Sequence, residues 1–171
     1  MIWSYPSRSF AIRAHGDQSY GGKPYEVHLD HVVQVLIRFG CAGDDRLIDA
    51  GFLHDTIEDT DTTEEDIANA FSPHTAKLVD AVTDGEGKTR KEKKDRPYFF
   101  IPKVPGAVPL KLADRIANTE ACLAENKDRL YQMYQEELNE FSQRLYDPKC
   151  MGHVRSMWQY LDKITQEHPR M

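Results

Sequence analysis

The chain has 171 residues, a formal net charge of −6, 40% hydrophobic residues and 29% charged residues. That length suffices for one domain with its own core. No apolar run reaches bilayer-spanning length, and the acidic balance argues against a general nucleic-acid binder, which needs a broad basic face. Met1 to Phe10 lack the basic and then apolar order of a secretory signal. Cys41, Cys122 and Cys150 are widely spaced without a CxxC pair, and read as reduced thiols. The expectation is one cytoplasmic domain over residues 1–171, without membrane or nucleic-acid polymer as partner. Homo-oligomerisation is left open.

Helical spacing dominates and strand-type alternation is nearly absent, so the predicted fold is all-α. A first helix is expected over Pro6 to Gln18, with Phe10, Ala11 and Ala14 on one face. Gly21-Gly22-Lys23-Pro24 breaks it. A second runs from His28 to Phe39, with Val32, Val35, Leu36 and Phe39 at core spacing. After Gly40 and Gly43 a third begins near Asp44 and carries Leu47, Ile48, Phe52, Leu53 and Ile57. Thr62 and Glu65 have the spacing of a capping box before a short helix ending at Phe71, and Ser72-Pro73 opens another through Val82. Pro97, Pro102, Pro105 and Pro109 predict an irregular connection. Helical pattern returns over Val108 to Glu125, Asp128 to Tyr146 and Gly152 to Gln166.

Two features suggest chemistry. Lys88 to Arg96 holds six basic residues against Glu92 and Asp95, a local patch that suits a small anionic ligand. As a charge run it reads equally as a solvated helix face. His54-Asp55-Thr56-Ile57-Glu58-Asp59 places four ionisable groups directly after the apolar Gly51-Phe52-Leu53, where desolvation is costly without a metal, a partner or solvent. His54 and Asp55 project about a hundred degrees apart on a helix. They can share a cation only if other ligands arrive from elsewhere. Glu58 and Asp59 fall one turn further along the same faces. Taken alone, this run also reads as a helix cap followed by two solvated carboxylates. Lys111, Asp114, Arg115 and Asn118 sit inside an apolar helix, and Pro24-Tyr25-Glu26-Val27-His28 delivers a histidine at a helix start.

The ordered set Ala14-His15-Gly16-Asp17-Gln18, Pro24-Tyr25-x-x-His28, His54-Asp55-x-x-Glu58-Asp59, Val82-Thr83, Arg90-Lys91 and Lys111-Leu112-Ala113-Asp114-Arg115-x-x-Asn118 resembles the HD-type hydrolase domain of the RelA/SpoT family. Small stand-alone alarmone hydrolases are the nearest in form. The match covers about residues 10–122, with packing helices expected over about 128–166. The resemblance implies an all-α HD-domain bundle and manganese-dependent removal of the 3′-pyrophosphate from guanosine tetraphosphate or pentaphosphate. It makes His28, His54, Asp55 and Asp114 the ligands of one divalent ion. Glu58 and Asp59 would position or deprotonate water, Lys111 and Asn118 would lie near the nucleotide, and Arg90 and Lys91 near its phosphates. Mixed imidazole and carboxylate donors suit manganese.

The chain departs from the family at the nucleotide. Tyr20 stands where long members carry a guanine-stacking arginine; its ring can stack on a purine but lacks the guanidinium's donors. Glu120 places a negative charge where those members have a positive one, which would alter base and ribose contacts. Two alternatives therefore stand beside the alarmone reading: phosphohydrolysis of another nucleotide, and a non-catalytic nucleotide-binding domain. No synthetase half is expected after the last motif. His31 is a candidate substitute ligand or a neighbour of the ligands, and His15 a local hydrogen-bonding residue. His74, His153 and His168 are expected at the surface or in packing, and Tyr131 and Tyr134 in the core.

Overall fold

Two helices built from the most apolar stretches form the centre of the molecule in the computed structural model, which describes residues 5–166. They are α2 (Glu26–Arg38) and α8 (Ala107–Ala124), packed against each other. Leu29, Val32 and Leu36 of α2 and Leu112, Ala113 and Ile116 of α8 are all fully buried in one core. Burying such a side chain stabilises the fold by about 1.5–3 kcal/mol. Next in chain order are α1 (Pro6–His15), α3 (Asp45–Leu53), α4 (Thr56–Asp59), α5 (Glu64–Ala70), α6 (Pro73–Val82) and α7 (Arg90–Phe100). The last two, α9 (Asp128–Leu145) and α10 (Gly152–Gln166), cover α8 from the other side. Gly51 lets α3 approach α2 closely: a Cβ there would come within 2.9 Å of both Leu36 and Val33 side chains.

The structure moves several expected boundaries, each for a local reason. Helix α1 stops at His15 rather than Gln18, because Gly16 turns at φ 55 and donates to the Ile12 carbonyl. The glycine break is a small hairpin, not merely an interruption. Ser19–Tyr20 (β1) pairs antiparallel with Lys23–Pro24 (β2), and Gly21 and Gly22 both take positive φ, as the tightest hairpin turn requires. Helix α2 begins at Glu26, so His28 lies within its first turn.

The expected single helix from Asp44 through Ile57 is broken at His54-Asp55. His54 Nδ1 lies 2.9 Å from the Gly51 carbonyl, and Thr56 Oγ1 donates to the Leu53 carbonyl at 2.7 Å. Side chains thus occupy carbonyls at the helix end, competing with the backbone ladder. The capping box belongs to Thr63 and Asp66, one residue later than Thr62 and Glu65. Ser72 does cap α6, accepting from the Thr75 amide at 3.0 Å. Pro97 lies inside α7 rather than in an irregular connection. It has no amide to offer Lys93, and Gly85 N–H fills that carbonyl at 2.9 Å.

Glu120 is a tie between helices rather than a contact for base or ribose. Its carboxylate meets His31 Nε2 at 2.7 Å, Arg38 at 2.8 Å and the Tyr160 hydroxyl at 2.6 Å, joining α8 to α2 and α10. His31 is therefore turned away from the other histidines and is not a substitute ligand in this arrangement. Burial alone would raise the Glu120 carboxyl, but hydrogen bonds from His31, Tyr160 and Arg38 hold it at about 2. A depressed carboxyl stabilises the folded state above its ordinary value of 4.5 and loses that contribution as pH falls toward 2. Glu120→Gln should lower neutral-pH stability by about 1–3 kcal/mol. Urea titrations between pH 7 and pH 2 should also show a shallower acid loss than wild type below the ordinary carboxyl range; parallel curves would contradict the tie.

Candidate active site

Three separate chain segments deliver four side chains to one point. His28 comes from the first turn of α2, His54 and Asp55 from the break between α3 and α4, and Asp114 from the middle of α8. The two imidazole Nε2 atoms face each other at 3.2 Å. Asp55 Oδ2 is 2.9 Å from His54 Nε2 and 3.5 Å from His28 Nε2. Asp114 Oδ1 is 3.5 Å from His28 Nε2 and 3.8 Å from His54 Nε2. Both histidines are 2% exposed. The Gly51 carbonyl takes the proton on His54 Nδ1, which leaves the Nε2 lone pair toward the shared point. His28 Nδ1 is buried without a hydrogen-bond partner among the described residues, so that ring's polar contacts all lie on the Nε2 side.

Such an arrangement needs positive charge at its centre. Burial disfavours a charged His28, yet hydrogen bonding to Asp114 and Asp55 carries it up to about 9. His54 is likewise raised: burial is outweighed by the Asp55 charge. Against the same burial, the imidazoles hold Asp55 well below the usual carboxylate range, and Lys111 with the imidazoles does so for Asp114. Two imidazole nitrogens and two carboxylate oxygens facing one point fit a divalent cation of borderline hardness. His28, His54, Asp55 and Asp114 are the residues that can hold it. Asp114 is itself oriented on both oxygens: Asn118 Nδ2 donates to Oδ1 at 2.5 Å, and Lys111 Nζ lies 3.2 Å from Oδ2.

A cleft of about 170 Å³ opens over this point, and Glu58 and Asp59 line it. Burial raises both carboxyls, and the Asp55 charge adds to the effect. Glu58 Oε2 accepts from the Asp84 amide at 3.1 Å. Asp59 is tied twice: its carbonyl accepts from Gln18 Nε2 at 2.7 Å, and its carboxylate lies 3.0 Å from the Tyr25 hydroxyl. Tyr20 stacks on His28 with ring centres 4.5 Å apart and donates to Asn118 Oδ1 at 2.6 Å. A hydrogen-bond chain thus runs from Tyr20 through Asn118 to Asp114.

The basic wall is not the one expected. Arg90 lines the cleft, but Lys91 does not join it. Consecutive helical residues point about a hundred degrees apart, and Lys91 is directed at Glu140, 3.8 Å away, with its side chain 75% exposed. Its place is taken by Lys94, one turn after Arg90 on the same face, paired with Asp84 at 2.8 Å. Arg115 also reaches the cleft, and Glu137 holds it at 2.9 Å and Arg90 at 2.5 Å. Sequence reasoning missed Lys94, Arg115, Tyr25 and Tyr134 as lining residues. The i, i+4 spacing of Arg90 and Lys94 is the signal that could have found Lys94. His15 is buried, stacked on Tyr25 and 2.7 Å from Gln18, as its local reading implied. Tyr131 is buried, His74 half-buried and His153 exposed, whereas His168 lies outside the described residues.

Several known proteins are similar to this chain. A protein named guanosine-3′,5′-bis(diphosphate) 3′-pyrophosphohydrolase from Aquifex aeolicus is 31% identical over 160 residues, covering 91% of this chain and 22% of that protein. Its namesake MESH1 from Danio rerio is 34% identical over 114 residues, covering 64% of this chain and 63% of that protein. The chain therefore spans less than two thirds of either relative. A solved structure, described as that of a metazoan ortholog of SpoT that hydrolyzes ppGpp, superposes with a TM-score of 0.71 at 23% identity, covering 94% of this chain and 97% of that one. That likeness gives the fold. The model of the HD domain matches residues 7–97, more than half of the sequence, and the chain belongs to the HD-domain family.

Proposed function

We propose that this chain is a manganese-dependent hydrolase that removes the 3′-pyrophosphate from guanosine 3′,5′-bis(diphosphate). The observation that carries the reading is the convergence of His28, His54, Asp55 and Asp114 beneath a cleft lined by two further carboxylates. The names of the relatives supply the substrate. Manganese accepts this mixed donor set and leaves positions for oxygen ligands. When bound, a divalent cation lowers the pKa of water and neutralises charge developing at phosphorus. Glu58 and Asp59 are then the groups that hold the attacking water and take its proton. A bond forms from the water oxygen to phosphorus, and the bond from phosphorus to the ribose 3′-oxygen breaks. Lys94, Arg90 and Arg115 offer positive charge to the pyrophosphate. Lys111 and Asn118 fix Asp114, and Tyr20 and Tyr134 line the side toward the base. A cytoplasmic setting and action as one domain complete the reading. They are motivated by buried, unpaired Cys41 and Cys122, by the absence among described residues of a helix able to cross a membrane, and by packing of α9 and α10 on α8.

Tyr20 motivates a second reading, phosphohydrolysis of another nucleotide. Its hydroxyl is spent on Asn118, so it presents a ring face and no fork of donors to distinguish guanine. Purified protein assayed with manganese against guanosine and adenosine substrates separates the two. Pyrophosphate released from ppGpp supports the first, and orthophosphate from ordinary nucleotides the second. An idle protein on every nucleotide would leave only binding.

Three sets of variants probe the roles. Glu58→Gln with Asp59→Asn should lower kcat by about two to four orders of magnitude, with manganese still bound by calorimetry. Unchanged turnover would remove the assignment of the two carboxylates. Asp55→Asn should abolish both turnover and tight manganese binding. Lys94→Ala should raise KM at least about tenfold through loss of charge-assisted contacts, whereas exposed Lys91→Ala should stay within about twofold; the reverse order would restore Lys91 to the site.

A further inference from the structure

We propose that Tyr25 is a positioning residue for this hydrolysis: its hydroxyl bridges Asp55 of the cation site to Asp59 and accepts a hydrogen bond from the proton that Asp59 takes from water. The inference rests on the hydrolase reading above. Tyr25 is held from every side. Its amide donates to the Gln18 carbonyl at 3.2 Å, and its own carbonyl accepts from the His28 amide at 2.9 Å. Its ring stacks on His15 at 4.1 Å and meets His28 edge-on at 5.8 Å. The hydroxyl is thereby fixed 2.6 Å from Asp55 Oδ2 and 3.0 Å from Asp59 Oδ2.

A phenol carries one proton and two lone pairs. It cannot donate fully to two ionised carboxylates at once, and the shorter contact directs its O–H to Asp55 rather than Asp59. Asp59 therefore completes its hydrogen bond only as the donor, after it has gained a proton. Water gives a proton to Asp59 Oδ2 as its electron pair forms the bond to phosphorus; the bond from phosphorus to the ribose 3′-oxygen breaks, and that oxygen takes a proton from solvent. The new Asp59 O–H points at the Tyr25 oxygen, while Tyr25 keeps its own proton, donated to Asp55. Glu58 is placed differently. Its Oε2 accepts from the Asp84 amide, a contact that favours the ionised carboxylate. Gln18 supports Asp59 from behind through its carbonyl, and His15 in turn orders Gln18. The geometry assigns the proton to Asp59 and leaves Glu58 to orient the water.

Tyr25→Phe keeps the ring and its stack on His15. With ppGpp and saturating manganese it should lower kcat about 10- to 100-fold, move KM less than about threefold and weaken the manganese Kd by no more than about tenfold, with a near wild-type Tm. On an Asp59→Asn background the same change should cost less than about twofold more, because both act through one group. Full recovery by added manganese, an unchanged kcat, or an undiminished loss on the Asp59→Asn background would each overturn the role. If the phenylalanine variant does not fold, fluorotyrosine at position 25 weakens the oxygen as an acceptor without changing its shape. It should lower kcat at constant KM, and an unaltered kcat would end the proposal. The same pair is run on bis(p-nitrophenyl) phosphate. A wild type idle on ppGpp but active on this ester, with Tyr25→Phe slower, sinks the nucleotide assignment and keeps Tyr25. Inactivity on both sinks both.

Discussion

Two buried imidazole nitrogens 3.2 Å apart, flanked by carboxylates at the base of a cleft, form the constraint on which the rest of this structure depends. Lone pairs directed at one another repel, and buried carboxylates are costly unless compensated. Only positive charge at the centre reconciles them. The apolar packing of α2, α3 and α8 therefore has two tasks: it supplies the core, and it holds two imidazoles and two carboxylates around one point where positive charge is favoured.

The break between α3 and α4 shows how this is done locally. In a continuous helix His54 and Asp55 would diverge by about a hundred degrees. Here His54 and Thr56 take carbonyls of the preceding turn, Asp55 departs from helical geometry at φ −101 and ψ −3, and both side chains reach one point. The same break starts a fresh short helix that carries Glu58 and Asp59 over the cleft. His54 and Asp55, which face the shared point, and Glu58 and Asp59, which line the cleft over it, thus come from one six-residue run.

Much of this was legible in the sequence, and the pattern of what was not is instructive. Helices α2, α6, α8, α9 and α10 were visible because a 3.6-residue apolar period records burial directly. The convergence of His54, Asp55 and Asp114 was visible only through an ordered set of motifs, since no local pattern reports that residues about sixty apart meet. What stayed hidden depends on partners distant in sequence or on competition within a turn. Pro97 remains helical because Gly85 fills the carbonyl it leaves open. Lys94 rather than Lys91 reaches the cleft because α7 is docked in one rotation; the charge run Lys88 to Arg96 does not by itself fix that rotation, and only the placement of Arg90 in the cleft makes its i+4 neighbour legible. Glu120 was read from its alignment with base-contacting positions, whereas His31, Arg38 and Tyr160 turn it toward α2 and α10.

The substrate side and the cation side are not independent. Tyr20 is hydrogen-bonded to Asn118, which is bonded to Asp114, and its ring lies on His28. A residue that lines the cleft therefore reaches two of the four converging side chains within one or two contacts. Tyr20 brings no charge beside His28, Asp114 and Lys111, and its one hydroxyl orders Asn118. A substitution at position 20 therefore reaches His28 through the ring and Asp114 through Asn118, and the cleft wall and the four converging side chains can only be tuned together.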